Sequence, residues 1–371
     1  MGILNVLGHF AAPAFAPVIL NLTIIGSVLF ISPAMTTPVI GLALGVLIGG
    51  VLQLALQLPI LVRKGFRFWE KARLMHPQLK KVGISIIPMT VGGAVYQINI
   101  IVGTLLGTLL VEGSVTYLYF ADRLVQFPLG IFAIAAATAV LPSLCRQAVI
   151  REFDELRKTF AQALKLVFFI SIPAMVGLIV LKEPIVVLLF QRGEFDAAAT
   201  QLTAQAVLYY GLGLWAFSAV RIVAATFFAM QDTRTPVIMA VISIIANIIL
   251  GLILMKPLAH GGLALATSLS SMLNLGLLVH ALRSKLGSLG WISIAQSACK
   301  TVLSSVGMGL AVWGTAGTVV PTANRTTAGL LGGLTASIVI GLCIYGVLSY
   351  LVKSQELKSI LTEVRRGIGH K

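Results

Sequence analysis

The sequence predicts an all-α bundle of about ten membrane-spanning helices. Three observations predict it. Hydrophobic residues make up 58 % of the 371 positions and charged residues 11 %, against roughly 25 % charged in a soluble domain. Apolar runs of roughly 20 residues recur from end to end, the length a helix needs to cross ~30 Å of hydrocarbon. Basic residues are concentrated in every second connecting loop. Thirty-six glycines and 14 prolines fit the same class, since both are commoner in membrane helices than in soluble ones.

The first apolar run follows "MGILNVLGHF", which has no basic segment and no small-residue cleavage site, so it does not read as a signal peptide. Position 6 is Val6, where a myristoylation motif needs Ser or Thr. The spans then fall at 8–31, 38–62, 83–111, 115–143, 160–181, 200–229, 236–255, 261–282, 294–318 and 327–352. Residues 184–192 are apolar but too short to cross, and are expected at an interface or folded back.

Between the spans, Lys and Arg alternate. Loops and tail 63–81, 144–159, 230–235, 283–287 and 353–371 hold seven, four, one, two and five, or 19 in all. Segments 32–37, 112–114, 182–199, 256–260 and 321–326 hold none, none, two, one and one, or 4. Basic loops stay cytoplasmic, so both termini are expected on the cytoplasmic side. The same loops absorb the net charge of +15, which in a soluble chain would point to nucleic acid and here gives no nucleic-acid partner. The loop "RKGFRFWEKARLMHPQLKK" reads as an amphipathic helix on anionic lipid with Phe66, Phe68 and Trp69 as anchors, or as a surface for an acidic partner. In "QDTRTP", Thr235 is the expected N-cap of the next helix and Pro236 its first residue. In "QRGEFDAAAT", Asp196 is the expected cap of the sixth span.

Several chemistries have no residues to carry them. Cys145, Cys299 and Cys343 are far apart and form no CxxC. His9, His76, His260, His280 and His370 show no metal spacing. There is no HExxH, no nucleotide-binding glycine loop and no nucleophile–His–Asp set. "GVLIGG" and "GLLGGL" have the spacing of small-residue packing surfaces. The expectation is a protein that is not an enzyme and holds no metal and no cofactor.

The polar residues inside the spans carry the functional reading. Arg123 lies about eight residues from the outer end of the fourth span, roughly 12 Å deep at 1.5 Å per residue. Arg cannot lose its proton to escape that environment, and its insertion costs at least ~2.5–3.5 kcal/mol. A carboxylate, a wet cavity or an anionic cargo must compensate. Asp122 is adjacent, but neighbours on a helix point roughly 100° apart, so it is a loose partner at best. Thr116, Tyr119, Arg123, Gln126 and Gly130 form one stripe in steps of three or four. Thr90, Gln97, Thr104 and Thr108 form a second stripe on the third span. Pro88 and Pro128 interrupt these helices, and Pro13 and Pro17 the first, which is tolerated where backbone lines a cavity or is buried in protein. Two polar stripes and one fixed cation predict a hydrated cavity that accepts an anion. The competing reading is a structural Arg123 satisfied by Asp122 and backbone carbonyls. Arg221 in the sixth span is also explained by snorkelling, and Asn21, Asn99, Asn247 and Asn274 by interhelical hydrogen bonds.

In chain order, "FAAPAFAPVILNLTIIGSVLF", "GSVTYLYFADRLVQFPLGIFAIAAATAVLPSLCRQ", "LFQRGEFDAAATQLTAQAVLYYGLGL", "FFAMQDTRTPV" and "HGGLALATSLSSMLN" closely resemble the MurJ (MviN) family, the lipid II flippases of the MOP superfamily. The resemblance runs through the whole chain. It implies fourteen spans in two six-helix lobes plus a C-terminal pair, alternation between inward- and outward-open states, and transport of undecaprenyl-pyrophosphate-linked disaccharide-pentapeptide across the bacterial inner membrane. About four N-terminal spans of that pattern are not present in this sequence. The implied organisation is 1–62 as the last two spans of the N-lobe, 63–82 as a basic cytoplasmic loop and 83–285 as the C-lobe. Residues 294–352 are then the C-terminal pair, whose groove takes the lipid tail, and 353–371 a basic tail.

Arg123 matches the family's second-lobe cavity arginine, implicated in pyrophosphate binding. Asp122, Tyr119, Gln126 and Gln97 are expected around it, with Arg221, Asn247 and Thr267 as secondary candidates. Gln126 stands where some members are acidic. Positions matching acidic sodium ligands of some members read Gly103 and Gly251, beside Asn247 and Thr267, so no sodium site is expected. Lipid II, the bilayer and other cell-wall synthesis proteins are the implied partners. The alternatives are a flippase for another lipid-linked glycan and a non-transporting scaffold.

Overall fold

The computed structural model describes residues 3–4, 9, 11–66, 97–319 and 327–358. The expectations at Phe68, Trp69, Pro88 and Thr90 lie outside these residues. The described segments are helices joined by short turns, in the order α1 (Ala11–Gly26), α2 (Pro38–Arg63), α3 (Gln97–Thr108), α4 (Ser114–Pro128), α5 (Ala135–Val149), α6 (Phe153–Val180), α7 (Lys182–Phe190), α8 (Ala197–Gly211), α9 (Leu214–Ala229), α10 (Arg234–Leu286), α11 (Trp291–Val319) and α12 (Thr327–Leu351). They fall on all ten expected spans, the third only through Gln97–Thr108. Among the described residues six helices or helix runs are long and apolar enough to cross a membrane, and the bent pair α8–α9 makes seven. One of the six, α10, is interrupted at Ala259 (φ 49, ψ −131) and contains two spans.

Helix ends differ from the apolar boundaries for a simple reason. Apolar runs mark the part in hydrocarbon, whereas a helix continues while its backbone and surface pairs support it. Thus α6 starts at Phe153 rather than 160, its first turns carrying the Asp154–Arg157 and Glu155–Lys158 ion pairs at 2.7 and 2.8 Å. The fourth span likewise runs from Ser114 to Val149. Pro128 does not break it. The α-helix passes into a π-helical turn, Leu129–Ile134, and resumes as α5. Two caps also resolve. Asp196 accepts from the Ala199 amide at 2.8 Å, as its position implies. Ahead of α10 the capping side chain is Asp232, not Thr235: Asp232 accepts from the Thr235 amide at 3.0 Å and its hydroxyl at 2.6 Å. The helix starts at Arg234, so Pro236 is its third residue.

The chain forms two compact units, Met1–Ile84 and Ser85–Lys371. In the first, α1 packs on α2 through Gly41, Gly45 and Gly49. A Cβ on Gly45 would lie 2.6 Å from Ser27 Cβ, and one on Gly49 2.6 Å from Leu20, so the four-residue glycine period sets how closely the helices approach. Gln53 donates to the Ala16 carbonyl at 2.7 Å across the same contact. Phe66, expected at the lipid interface, is half-buried against Leu4, Ala12 and Leu61.

In the second unit, α5, α6, α9 and the returning arm of α10 share a core around Phe160, Ile222, Phe227 and Leu278. A second core joins α4 and α8 through Leu118, Ala121, Ala204 and Val207. The pair α11–α12 packs on itself and, through α11, on α6, with Ser297, Thr301, Ser304, Ser305 and Ser337 buried.

Candidate functional site

Helix α4 starts from Gly113, whose φ of +89° is left-handed and whose Cβ, were there one, would meet Tyr117 at 2.6–2.8 Å. Only glycine serves both the conformation and the contact. Leu118, Ala121 and Val125 are buried on one face of α4, and the first two join the core shared with α8. Three aromatic contacts hold its N-terminal half: Tyr117 meets the His260 ring edge-on at 5.7 Å, and Phe120 sits 4.6 and 5.5 Å from Phe190 and Phe195. With that face packed, helical geometry turns the other face out. Thr116, Tyr119, Arg123, Gln126 and Gly130 are all exposed, so the stripe expected from their spacing is continuous.

Within the stripe, the Arg123 guanidinium carbon lies 4.7 Å from the centre of the Tyr119 ring, a cation–π contact. Its Nη1 donates to Gln126 Oε1 at 3.4 Å. Gln126 Nε2 in turn donates to Asp122 Oδ2. Arg123 and Asp122 form no salt bridge among the described residues. Asp122 is half-buried, and its charge is felt by Tyr210 of α8, which hydrogen-bonds with Thr267 of α10. Tyr119, Asp122, Arg123 and Gln126 are therefore one cluster, with Tyr210 and Thr267 behind it. Tyr210 is the member that sequence reasoning missed. Its signal, a second tyrosine in "LYYGLGL", does not reveal which of the two meets Thr267.

The remaining candidates stand apart. Gln97 is exposed at the start of α3. Thr104 and Thr108 hydroxyls donate to their own helix, to Ile100 and Leu105 carbonyls at 2.9 and 2.7 Å. Asn247 donates to Asn99 Oδ1 at 2.8 Å, tying α10 to α3. Arg221 is exposed on α9. Among the described residues no hydrogen bond or ion pair joins Asn247 or Arg221 to the Arg123 cluster. A small crevice opens beside the π-helical turn, lined by Pro128, Phe132, Val167, Ser171 and Leu214 among others and by none of the stripe residues. Among the described residues no group of three or more His, Cys, Asp or Glu is placed to hold a metal ion.

Chemically, an exposed guanidinium braced on one face and one edge keeps donors for a second, planar acceptor, and two parallel N–H groups match a phosphate or carboxylate. Long apolar helices with a polar, cationic stripe place the chain in the class of polytopic α-helical membrane proteins.

Residues 1–325 match the family model for the lipid II flippase MurJ. The probable lipid II flippase MurJ of Vibrio cholerae serotype O1 is 39 % identical over 280 residues, which cover 76 % of this chain and 53 % of that protein. The lipid II flippase MurJ of Burkholderia cenocepacia is 33 % identical over 288 residues, 76 % of this chain and 56 % of that one. A solved structure of lipid II flippase MurJ in its inward closed conformation matches 91 % of this chain and 67 % of its own, with a TM-score of 0.72 at 26 % identity. The chain belongs to the MurJ family. It spans 53–62 % of the length of the three curated relatives matched first.

Proposed function

We propose that this chain takes part in moving a diphosphate-linked glycolipid, the lipid-linked peptidoglycan precursor, across the bacterial inner membrane, and that it is a carrier rather than an enzyme. The observation that carries the reading is the exposed Arg123, held by Tyr119 and Gln126 and joined in no salt bridge to Asp122. A cation in an apolar span whose neighbouring carboxylate, Asp122, is not directly paired with it gains from a further compensating anion, and a diphosphate supplies one with the geometry a guanidinium binds in two places at once. Tyr119 and Gln126 are exposed beside it and present hydrogen-bonding groups to the rest of the headgroup, and Gln97, exposed at the start of α3, is proposed as a further one.

On this reading residues 1–62 complete one lobe, 83–285 form the second, 294–352 form an added helix pair, and 63–82 and 353–371 face the cytoplasm with both termini. The 19 to 4 division of basic residues between alternating loops supports that orientation.

The test is binding of undecaprenyl-diphosphate-linked disaccharide-pentapeptide to the purified chain in lipid nanodiscs. Arg123→Ala is expected to weaken it at least tenfold, about 1.4 kcal/mol, while insertion and thermal unfolding stay as in the parent. Equal affinity in the variant removes Arg123 from the mechanism. In a flippase-depleted bacterium complemented by the protein, the same substitution is expected to abolish rescue.

A further inference from the structure

One member of the α4 cluster does not share the exposed face. Tyr119, Arg123 and Gln126 are exposed, while Asp122 is half-buried. We propose that Asp122 is a positioning residue: it orients Arg123 through the Gln126 amide and does not itself contact cargo. The proposal rests on the reading of Arg123 as the anion-binding cation.

The argument is one of donor and acceptor ends. A glutamine amide presents two N–H donors at one end and an oxygen acceptor at the other. Free in solvent, either end can face a neighbouring guanidinium, but only the oxygen attracts it. An ionised carboxylate only accepts, so it must take the N–H end. Asp122 does this from four residues before Gln126. The oxygen end is thereby fixed towards Arg123, three residues before Gln126, where it accepts from Nη1 at 3.4 Å. Steps of three and four residues bring such side chains together on one helix face. Tyr119, four residues before Arg123, covers one face of the guanidinium. The cation is therefore held on a face and an edge, and the residue as a whole is exposed. A carboxylate directly paired with Arg123 would instead occupy the donors an incoming diphosphate needs. The helix turn between positions 122 and 123 keeps that from happening, and Gln126 bridges the gap.

The experiment measures Arg123 itself, with no cargo present. The full chain in nanodiscs is treated with phenylglyoxal, and modification of Arg123 is followed by mass spectrometry. Removing the carboxylate (Asp122→Ala) or the bridging amide (Gln126→Ala) is expected to raise the modification rate about fivefold, the effect of one lost hydrogen bond. The double variant is expected to react no faster than either single one, because both remove the same relay. Asp122→Glu, which keeps an acceptor-only carboxylate, is expected to restore the parental rate, whereas Asp122→Asn, whose amide can donate as well as accept and so does not dictate which end of Gln126 faces Arg123, is not. A merely structural Asp122 gives additive effects and no rescue, and that result, or a parental rate in Asp122→Ala, overturns the proposal. Should Asp122→Ala not fold, Gln126→Ala decides alone, and a parental rate there overturns it. Binding of undecaprenyl diphosphate is measured beside it. If the parent does not bind that lipid, the anion-binding reading fails, and the modification rates still judge the relay.

Discussion

The Tyr345 hydroxyl of α12 donates to the Phe169 carbonyl of α6 at 2.7 Å, and both residues are buried. Phe169 needs this donor because of Pro173. In an α-helix the carbonyl of residue 169 accepts from the amide of residue 173, and Pro173, inside α6, has no amide proton. An orphaned carbonyl in a buried helix is thus satisfied by a side chain 176 positions away. This fixes the register of the C-terminal helix on the preceding bundle.

Tyr345→Phe is expected to destabilise the protein by about 1 kcal/mol, the scale of interhelical hydrogen bonds in membranes. The check is a cycle with Pro173→Ala. An alanine at 173 restores the amide to Phe169, so Tyr345→Phe should cost much less in that background, as read by thermal unfolding in detergent. An unchanged cost would assign the effect of Tyr345→Phe to the other partners of the hydroxyl, Ser349 and Thr301, since the ring packing on Phe169 is kept in the variant.

Asp232 joins the turn before α10 to the end of the same helix, since Lys285 Nζ donates to its carboxylate. Burial pushes the Asp232 pKa up, but the hydrogen bonds from Lys285 and Thr235 and the Lys285 charge outweigh it and hold the value at about 2. The folded-state value is below the ordinary ~3.9 of an unfolded aspartate. The stabilisation is therefore fully present above about pH 4 and lost as pH falls towards 2. Asp232→Asn is expected to lower the unfolding temperature at pH 7 and to flatten the acid limb between pH 4 and 2. Parallel curves for variant and parent across that window would exclude Asp232 as its source.

Asn99 and Asn247 tie α3 to α10 at 2.8 Å. Asn247→Ala leaves the Asn99 amide short of its partner and is expected to cost about 0.6–1.7 kcal/mol, the range for such bonds in a membrane protein. Replacing both by valine is expected to cost less than the single change, because no polar group is stranded. Unfolding midpoints of the parent and the two variants give the comparison.

Gly262 follows the corner at Ala259, where the two spans of α10 meet. A Cβ there would lie 2.1 Å from the Leu254 carbonyl oxygen, a backbone atom that cannot rotate away. Gly262→Ala is expected to destabilise by about 3 kcal/mol or more, at the top of the range for overpacking, and to reduce the yield of folded protein. At Gly276, where a Cβ meets nothing within 4 Å, the same substitution is expected to be tolerated, and fluorescence-detected size exclusion separates the two.

Much of this molecule was legible in its sequence. The ten spans, the cap at Asp196 and the exposed stripe through Arg123 follow from hydropathy and helical period, which act locally along the chain. Other features required the fold. Whether Asp122 meets Arg123 or Gln126 depends on side-chain rotamers and on which side of α4 packs against α8. Asp232 replaced Thr235 as the cap because the helix began two residues earlier than the proline implied.

The sequence by itself determined that apolar segments of membrane length follow one another in a fixed order and that one of them carries a fixed positive charge on a polar face. Only the tertiary structure decided which groups brace that charge, which asparagine meets which, and what satisfies the Phe169 carbonyl. The physical reason is range. Hydropathy and helical period depend on neighbours within a few residues, whereas each of the latter pairings depends on how helices distant in the chain rotate and settle against one another.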